Sequence, residues 1–377
     1  MLIKKISLHS LKAPLHTPFK TAVRTVNSIH DTVVRIKSEN GTVGYGSAPS
    51  TPAITQDDHN SIASAINNEL SACLIGQSIN NFDSLIKQIH SNDGAGSNAK
   101  AAVDVALYDL LARYRRIPLF QLLAPAHIQQ QDIPVQLMTD YTISINDIQE
   151  MLRDIDTALE RGYRCLKIKI GTQANADLFR IQTIYDHVAA YPHAPITLRL
   201  DANQGWDADT TIKIMQVLED KKMHFELLEQ PVKATDIDGL KRIKASIKTP
   251  LMADESAFNL AQVKNLHMQS AADIINIKLV KTGGIYGALK IVEYCRQHNL
   301  PCMIGCMLEG SIGVAAAAHL ALANNDVIKL IDLDGPTLAT LDPIKGASTF
   351  NDALINVNQS YGLGIKADQA LQNWQAD

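Results

Sequence analysis

Several features are missing from this sequence, and each absence narrows the field. Five cysteines (Cys73, Cys165, Cys295, Cys302 and Cys306) are an odd number without a CxxC pair, so neither a disulfide framework nor a thiolate zinc motif is expected. Cys302 and Cys306 stand four apart, but no nearby histidine completes a ligand set, and free thiols in a reducing cytoplasm are the expected state. No apolar run reaches membrane-spanning length, and Met1–His9 lacks the continuous apolar stretch of a signal peptide, so a cytoplasmic protein without membrane contact is expected. A net charge of -4 gives no electrostatic case for nucleic acid or an anionic surface. What remains is an ordinary globular composition, 46% hydrophobic and 20% charged, over 377 residues. At roughly 150 residues per domain that is one large domain or two ordinary ones.

The N-terminal part reads as β-structure over residues 2–50. Thr32–Lys37 and Thr42–Tyr45 flank Glu39-Asn40-Gly41, where Asn-Gly supplies the positive φ angles of a tight hairpin turn. Pro18–Thr25, which contains Arg24, has no clear period and reads as a loop. From Gln56 to Leu123 the pattern is helical, clearest over Asn98–Leu111 after a Ser97 or Asn98 cap. Strands followed by helices define an α+β unit over the first ~125 residues. From Ile133 the texture becomes a strand-then-helix alternation. Expected strands are Val135–Ile143, Cys165–Ile170, Ile196–Leu200, Glu226–Leu228, Leu251–Ala253, Ile274–Leu279, Cys302–Gly305 and Ile328–Leu333. Starts recur at about 23–31 residues, the length of a βα unit. Eight such units match a TIM-type barrel, whereas a doubly wound sheet gives no reason for the number. The tail after Thr349 is expected to fold back on the N-terminal unit.

Arg164–Gly171 is the informative strand. Alternation sends Lys167 and Lys169 to one face and Leu166, Ile168 and Ile170 to the other. Two inward ammonium groups are costly unless anions, a metal site or chemistry compensate them; an edge strand guarded by lysines is the structural alternative. In such barrels chemistry sits at the C-terminal strand ends. Those ends carry Thr142, then Lys167 and Lys169, Asp201 with Asn203, Glu229, Asp254, Lys278, Cys306-Met307-Leu308, and Asp332 with Asp334. Any one such Asp is most often a helix cap or turn residue. Polar residues at strand end after strand end are harder to explain by caps. Asp201, Glu229 and Asp254, on successive strands without His or Cys, suit a hard divalent cation, Mg²⁺ before Zn²⁺. Lys169 and Lys278 fall four strands apart and so face each other across the mouth, where one amine can take a proton from a carbon and the other return one. A metal, a second ammonium and desolvation are each expected to lower such a lysine toward a working base. Asp332 and Asp334 form an anionic pair suited to a substrate ammonium.

Lys167-x-Lys169, Asp201-Ala-Asn203, Glu229-Gln-Pro231, Asp254-Glu-Ser256 and Lys278 in Asn-Ile-Lys-Leu-Val-Lys-Thr-Gly-Gly resemble the enolase superfamily, muconate-lactonizing subgroup, over nearly the whole chain. Asp332-x-Asp334 narrows the likeness to the dipeptide epimerases. The resemblance implies a (β/α)7β modified TIM barrel over 126–349, with an α+β capping domain over 1–125 completed by 350–377. It implies Asp201, Glu229 and Asp254 as Mg²⁺ ligands, Lys169 and Lys278 as the acid/base pair, and Lys167 as charge stabiliser. Asp332 and Asp334 would hold the ammonium of a small dipeptide. Thr142, Ile54 and Cys306–Leu308 would line its site. Pro18–Thr25 and Pro52–Thr55 resemble the capping loops of the L-Ala-D/L-Glu epimerases, where an arginine at the place of Arg24 takes the glutamate carboxylate. Ser47, where relatives often carry Glu, and Cys306, where Ser is common, depart from the pattern. The implied reaction is inversion of the α-carbon of the C-terminal residue of L-Ala-D/L-Glu in murein peptide recycling. Epimerisation of other dipeptides, cycloisomerisation or β-elimination on the same scaffold (of the muconate-lactonizing or o-succinylbenzoate synthase type), a Schiff-base aldolase and a non-catalytic binding barrel stay open as alternatives, as does assembly into a homo-oligomer.

Overall fold

Strands β1 (Ile3–Lys20), β2 (Thr25–Ser38) and β3 (Val43–Pro49) form an antiparallel sheet in that order. The coordinates are a computed structural model that describes residues 1–21, 25–191 and 195–366. The expected hairpin joins β2 to β3: Gly41 has φ 87°, and the Asn40 side chain accepts from the Thr42 backbone at 3.1 Å. Pro18–Lys20, expected as loop, continue β1. Its pairing with β2 resumes at Phe19–Val26 after an irregularity beyond Pro14, an interruption that hydrophobic alternation does not reveal.

The helix Ser97–Arg115 covers this sheet. It begins where expected but runs longer, and its first turn is capped from a distance. Asp57 accepts from the Asn98 backbone at 3.0 Å, while the Asn98 side chain donates to the Pro49 carbonyl and to Thr51. Residues Asn98, Ala99 and Ala101–Ala112 are all buried, so the helix is covered on every side. Close packing on β3 requires Gly44 and Gly46: a Cβ at Gly46 would lie 2.0 Å from the Ala102 carbonyl oxygen, and one at Gly44 2.2 Å from that of Ala106.

The expected first barrel strand is split at Thr139-Asp140. β4 (Gln136–Met138) joins a small antiparallel sheet with β13 (Thr349–Asn351) and β14 (Leu354–Asn356), and β5 (Tyr141–Ile143) opens the barrel. Then follow β6 (Cys165–Lys169), β7 (Thr197–Asp201), β8 (Leu227–Glu229), β9 (Leu251–Ala253), β10 (Ile274–Ile277), β11 (Cys302–Gly305) and β12 (Ile328–Asp332), all parallel and in sequential order. Helices follow β5 through β11, and β12 runs into the short turn Gly335–Leu338, which makes the architecture (β/α)7β. Between β12 and β5 side chains bridge the gap: Thr142 N donates to Asp334 at 2.7 Å, and Leu333 N to the Thr139 hydroxyl at 2.8 Å.

Alternation along each strand builds the interior in layers. Leu227, Met252, Ile274 and Met303, with Leu330 against them, form an apolar plug. Two residues further along the same strands stand Glu229, Asp254, Asn276, Gly305 and Asp332. The plug therefore floors a polar layer at the C-terminal mouth. Outside the barrel the helix Ser311–Ala323 is buried at every position. Its alanines let it press against the helix Leu119–Leu123, where the Phe120 backbone donates to His319 Nδ1 at 3.0 Å. The returning C-terminal segment reaches the same unit, with Leu363 N on Asp109 at 2.7 Å and Arg113 on the Ile365 carbonyl. Among the described residues no helix is long and apolar enough to cross a membrane.

Candidate active site

Lys167, Lys169 and Lys278 are 2%, 6% and 6% exposed, which removes the guarded-edge reading, since edge lysines keep their ammonium groups in water. All three line one cleft at the mouth, about 580 Å³ counted to its open end, together with Phe19, Thr21, Ile54, Thr142, Asn203, Asp254, Glu255, Cys306, Met307, Leu308, Asp332, Asp334, Gly335 and Leu338. Thus Ile54, Thr142, Cys306, Met307, Leu308, Asp332 and Asp334 come together as expected. Asp201 and Glu229 lie beneath, fully buried, and reach the cleft through the lysines. Arg24 lies outside the described residues.

The charges interlock. Lys167 Nζ stands 2.6 Å from Glu229 Oε2, 2.8 Å from Asp332 Oδ2 and 3.1 Å from Asp201 Oδ2. Lys169 contacts Asp201 at 2.5 Å, and Lys278 contacts Asp254 at 2.8 Å. Burial alone would raise Asp201 and Asp254, but Lys169 and Lys167 at the first and Lys278 and Lys281 at the second hold both below the usual carboxylate range. Glu229 goes the other way, pushed up to about 7 by burial and by the Asp201 charge. Asp334 rises to about 6 through burial beside Asp332. Lys278 differs from expectation: burial lowers it, but the facing Asp254 and Glu229 carboxylates outweigh burial and raise it above its ordinary value. Asp332 is likewise shared, one oxygen being bound to Lys167.

Two further residues of the motif around Lys278 support the site, one by strand alternation and one by helical spacing. Asn276, two before Lys278 and on its face, donates to Glu229 Oε1 at 2.8 Å. Lys281, one helical turn beyond Lys278, is buried and meets Asp254 Oδ1 at 2.5 Å and the Asn276 carbonyl at 2.8 Å. Phe19 and Thr21, in and just past the end of β1, reach the cleft from the stretch that resembles a capping loop, and Leu338 reaches it from beyond β12 with no local signal to mark it.

Among the described residues no three His, Cys, Asp or Glu side chains converge closely enough, as they stand, to enclose a metal by themselves; lysine ammonium groups lie between the carboxylates. The donor set still has the chemistry of a hard-cation site. Asp201, Glu229 and Asp254 offer oxygens only. Glu229 Oε2, though 2.6 Å from Lys167 Nζ, has no directed hydrogen bond, and Glu229's raised pKa records carboxylate crowding that a dication would relieve.

A nearly closed barrel of eight parallel strands, with buried lysines and carboxylates at its C-terminal mouth and an α+β layer beside it, defines a (β/α)7β-barrel enzyme. Residues 4–124 match the family described as mandelate racemase / muconate lactonizing enzyme, N-terminal domain, and residues 150–371 match the enolase C-terminal domain-like family. The chain is 41% identical over 366 residues to the L-Ala-D/L-Glu epimerase of Clostridium acetobutylicum, covering 97% of this chain and 99% of that one. The solved structure of the Bacillus subtilis L-Ala-D/L-Glu epimerase, with substrate bound, superposes with a TM-score of 0.91 at 38% identity over 97% of this chain and 99% of that one. The Enterococcus faecalis dipeptide epimerase, solved with Mg and L-Leu-L-Tyr, gives 0.89 at 35% identity, over 97% of this chain and 99% of that one. The chain belongs to the enolase superfamily, in its muconate-lactonizing subgroup, and resembles the dipeptide epimerases there. It is an isomerase.

Proposed function

We propose that the protein inverts the α-carbon of the C-terminal residue of L-Ala-D/L-Glu by a two-lysine 1,1-proton transfer, in the cytoplasmic recycling of cell-wall peptides. The observation that carries this reading is the opposition of Lys169 and Lys278, on β6 and just beyond β10, four strands apart in the barrel order and both lining one cleft. In this reading one amine accepts the α-proton as the Cα–H bond breaks, and the opposite ammonium donates a proton to the other face as the new bond forms. Lys167, within reach of three carboxylates at one edge, steadies the negative charge of the enediolate between the two steps. Asp332 and Asp334 hold the dipeptide's ammonium. Asp201, Glu229 and Asp254 would hold a divalent cation, Mg²⁺ by the relatives' example; bound there, it would neutralise the substrate carboxylate and withdraw carboxylate charge from Lys278.

The same reading divides the chain into a capping unit, residues 1–125 completed by 350–377, and a catalytic barrel, residues 126–349. It gives Arg24 the glutamate side-chain carboxylate. Cycloisomerase substrates of the superfamily lack an ammonium, which would leave Asp332 and Asp334 without a role. Incubating L-Ala-D-Glu with the protein and Mg²⁺ in D₂O is expected to bring deuterium to the glutamate α-carbon and to form the L,L epimer. Absence of exchange from every dipeptide of a library would overturn the proposal. Within that library, Arg24→Ala should lose acidic second residues selectively.

A further inference from the structure

Three elements meet beside the cleft in a buried contact that the proton-transfer chemistry does not use. Asp31 on β2 is 1% exposed and accepts from the Gly310 backbone at 2.9 Å, with the Ser47 hydroxyl of β3 at 3.4 Å on the same oxygen. Its other oxygen has no hydrogen-bond partner among the described residues. Glu309, 3% exposed, folds back to accept from the Met307 backbone at 2.9 Å. Its other oxygen, Oε2, lies 2.0 Å from where a Cβ on Gly313 would stand, so a side chain at the first turn of the helix Ser311–Ala323 would push the Glu309 carboxyl out of this position. Both anchors therefore act on one segment, residues 306–310. That segment carries Cys306, Met307 and Leu308 into the cleft wall. Asp31 ties its end to the N-terminal sheet, and Glu309 ties its middle.

We propose that Asp31 and Glu309 are positioning residues of the 306–310 segment, Asp31 fastening its end to the N-terminal sheet and Glu309 fixing its internal fold, and that together they set the cleft wall on the substrate side. The consequence for substrate rests on the dipeptide epimerase reading; the consequence for the segment does not. Among the described residues, Lys278 is the one cation that acts on Glu309, and weakly; the hydrogen bonds to Asp31 come from Ser47 and Gly310. Burial accordingly pushes Asp31 up to about 7 and Glu309, with the Asp31 charge added, to about 8. At neutral pH much of the pair is neutral acid, and an amide of the same shape can take its place.

Cys306 provides a reporter independent of turnover, because it sits on the held segment, is partly buried and lines the cleft. Wild type, Asp31→Ala, Glu309→Ala, Asp31→Asn and Glu309→Gln are alkylated with iodoacetamide at one pH, and each cysteine is followed by peptide mass mapping. The alanine variants are expected to speed Cys306 labelling roughly tenfold while the core thiols Cys295 and Cys302 keep wild-type rates. The two amide variants, Asp31→Asn and Glu309→Gln, should stay near wild type. On L-Ala-L-Glu the alanine variants should raise KM roughly tenfold with kcat changed by less than about threefold. The inference is overturned if folded alanine variants label Cys306 at the wild-type rate. It is equally overturned if all three cysteines speed up together, which is general loosening, or if the amide variants behave like alanine. Should the wild type turn over no dipeptide, the functional reading fails, and the labelling result still decides the positioning role.

Discussion

His319 allows a prediction whose size follows from the structure. It lies fully buried in the all-buried helix Ser311–Ala323, and its Nδ1 accepts the Phe120 backbone N–H at 3.0 Å while Nε2 has no partner. The ring must be neutral with its proton on Nε2, since a charged ring would carry a second N–H against the Phe120 donor. Burial lowers its pKa from 6.5 to about 3. A histidine depressed in this way is neutral in the folded chain but takes up a proton in the unfolded chain below about 6.5, so stability is lost as pH falls from there toward 3. Between pH 7 and pH 5 the linkage amounts to about 2 kcal/mol. In His319→Asn the amide oxygen can still accept from Phe120, and the titration is gone; the lost ring costs some stability at every pH alike. Urea unfolding at pH 7 and pH 5 is the assay. The wild type should lose about 2 kcal/mol more than the variant across that interval. Parallel losses in the two proteins would refute the argument that this contact holds histidine neutral.

Three further outcomes follow from the site and the packing. Lys169→Ala and Lys278→Ala should each reduce epimerisation by at least about a thousandfold, the upper part of the range for a lost acid or base; deuterium incorporation should survive, if at all, only from the epimer whose α-proton faces the lysine that remains, as chiral chromatography after D₂O incubation would reveal. Asp334→Asn removes a charge expected to face the substrate ammonium while keeping an oxygen for Thr142 N, so KM for dipeptides should rise roughly 10–100-fold, matching the worth of one charged hydrogen bond. Gly46→Ala drives a methyl group to within 2.0 Å of the Ala102 carbonyl; stability should fall on the order of 3 kcal/mol by denaturant titration, with the N-terminal unit affected first.

The barrel could be read from the sequence because its instructions are local. Turn chemistry at Asn40-Gly41, alternation along Cys165–Ile170 and the regular spacing of short apolar strands each act over a few residues. They led to the right class of fold and the right inward faces. Local signals failed where a distant partner decided the outcome. Val135–Ile143 alternates as one strand, but β14 captures its first half, which splits it. Asn98 looks like a cap, yet Asp57 does the capping and Asn98 turns to Pro49. Lys281 and Asn276 stood in plain sequence view beside Lys278, and only the folded barrel aims them at Asp254 and Glu229.

Protonation shows the same limit most sharply. Residue types and spacing by themselves determined which lysines and carboxylates would meet at the barrel mouth, since side-chain direction follows from strand period and strand order. They did not determine in which direction each group would be shifted. Burial lowers Lys278, as expected, but the Asp254 carboxylate 2.8 Å away outweighs burial and raises it. Asp31 and Glu309 gave no sign of belonging together until β2 and the segment after β11 were packed against each other. Periodicity is a property of the chain and can be counted along it. Electrostatic environment depends on distances of a few ångströms between residues far apart in sequence, and only tertiary structure sets those.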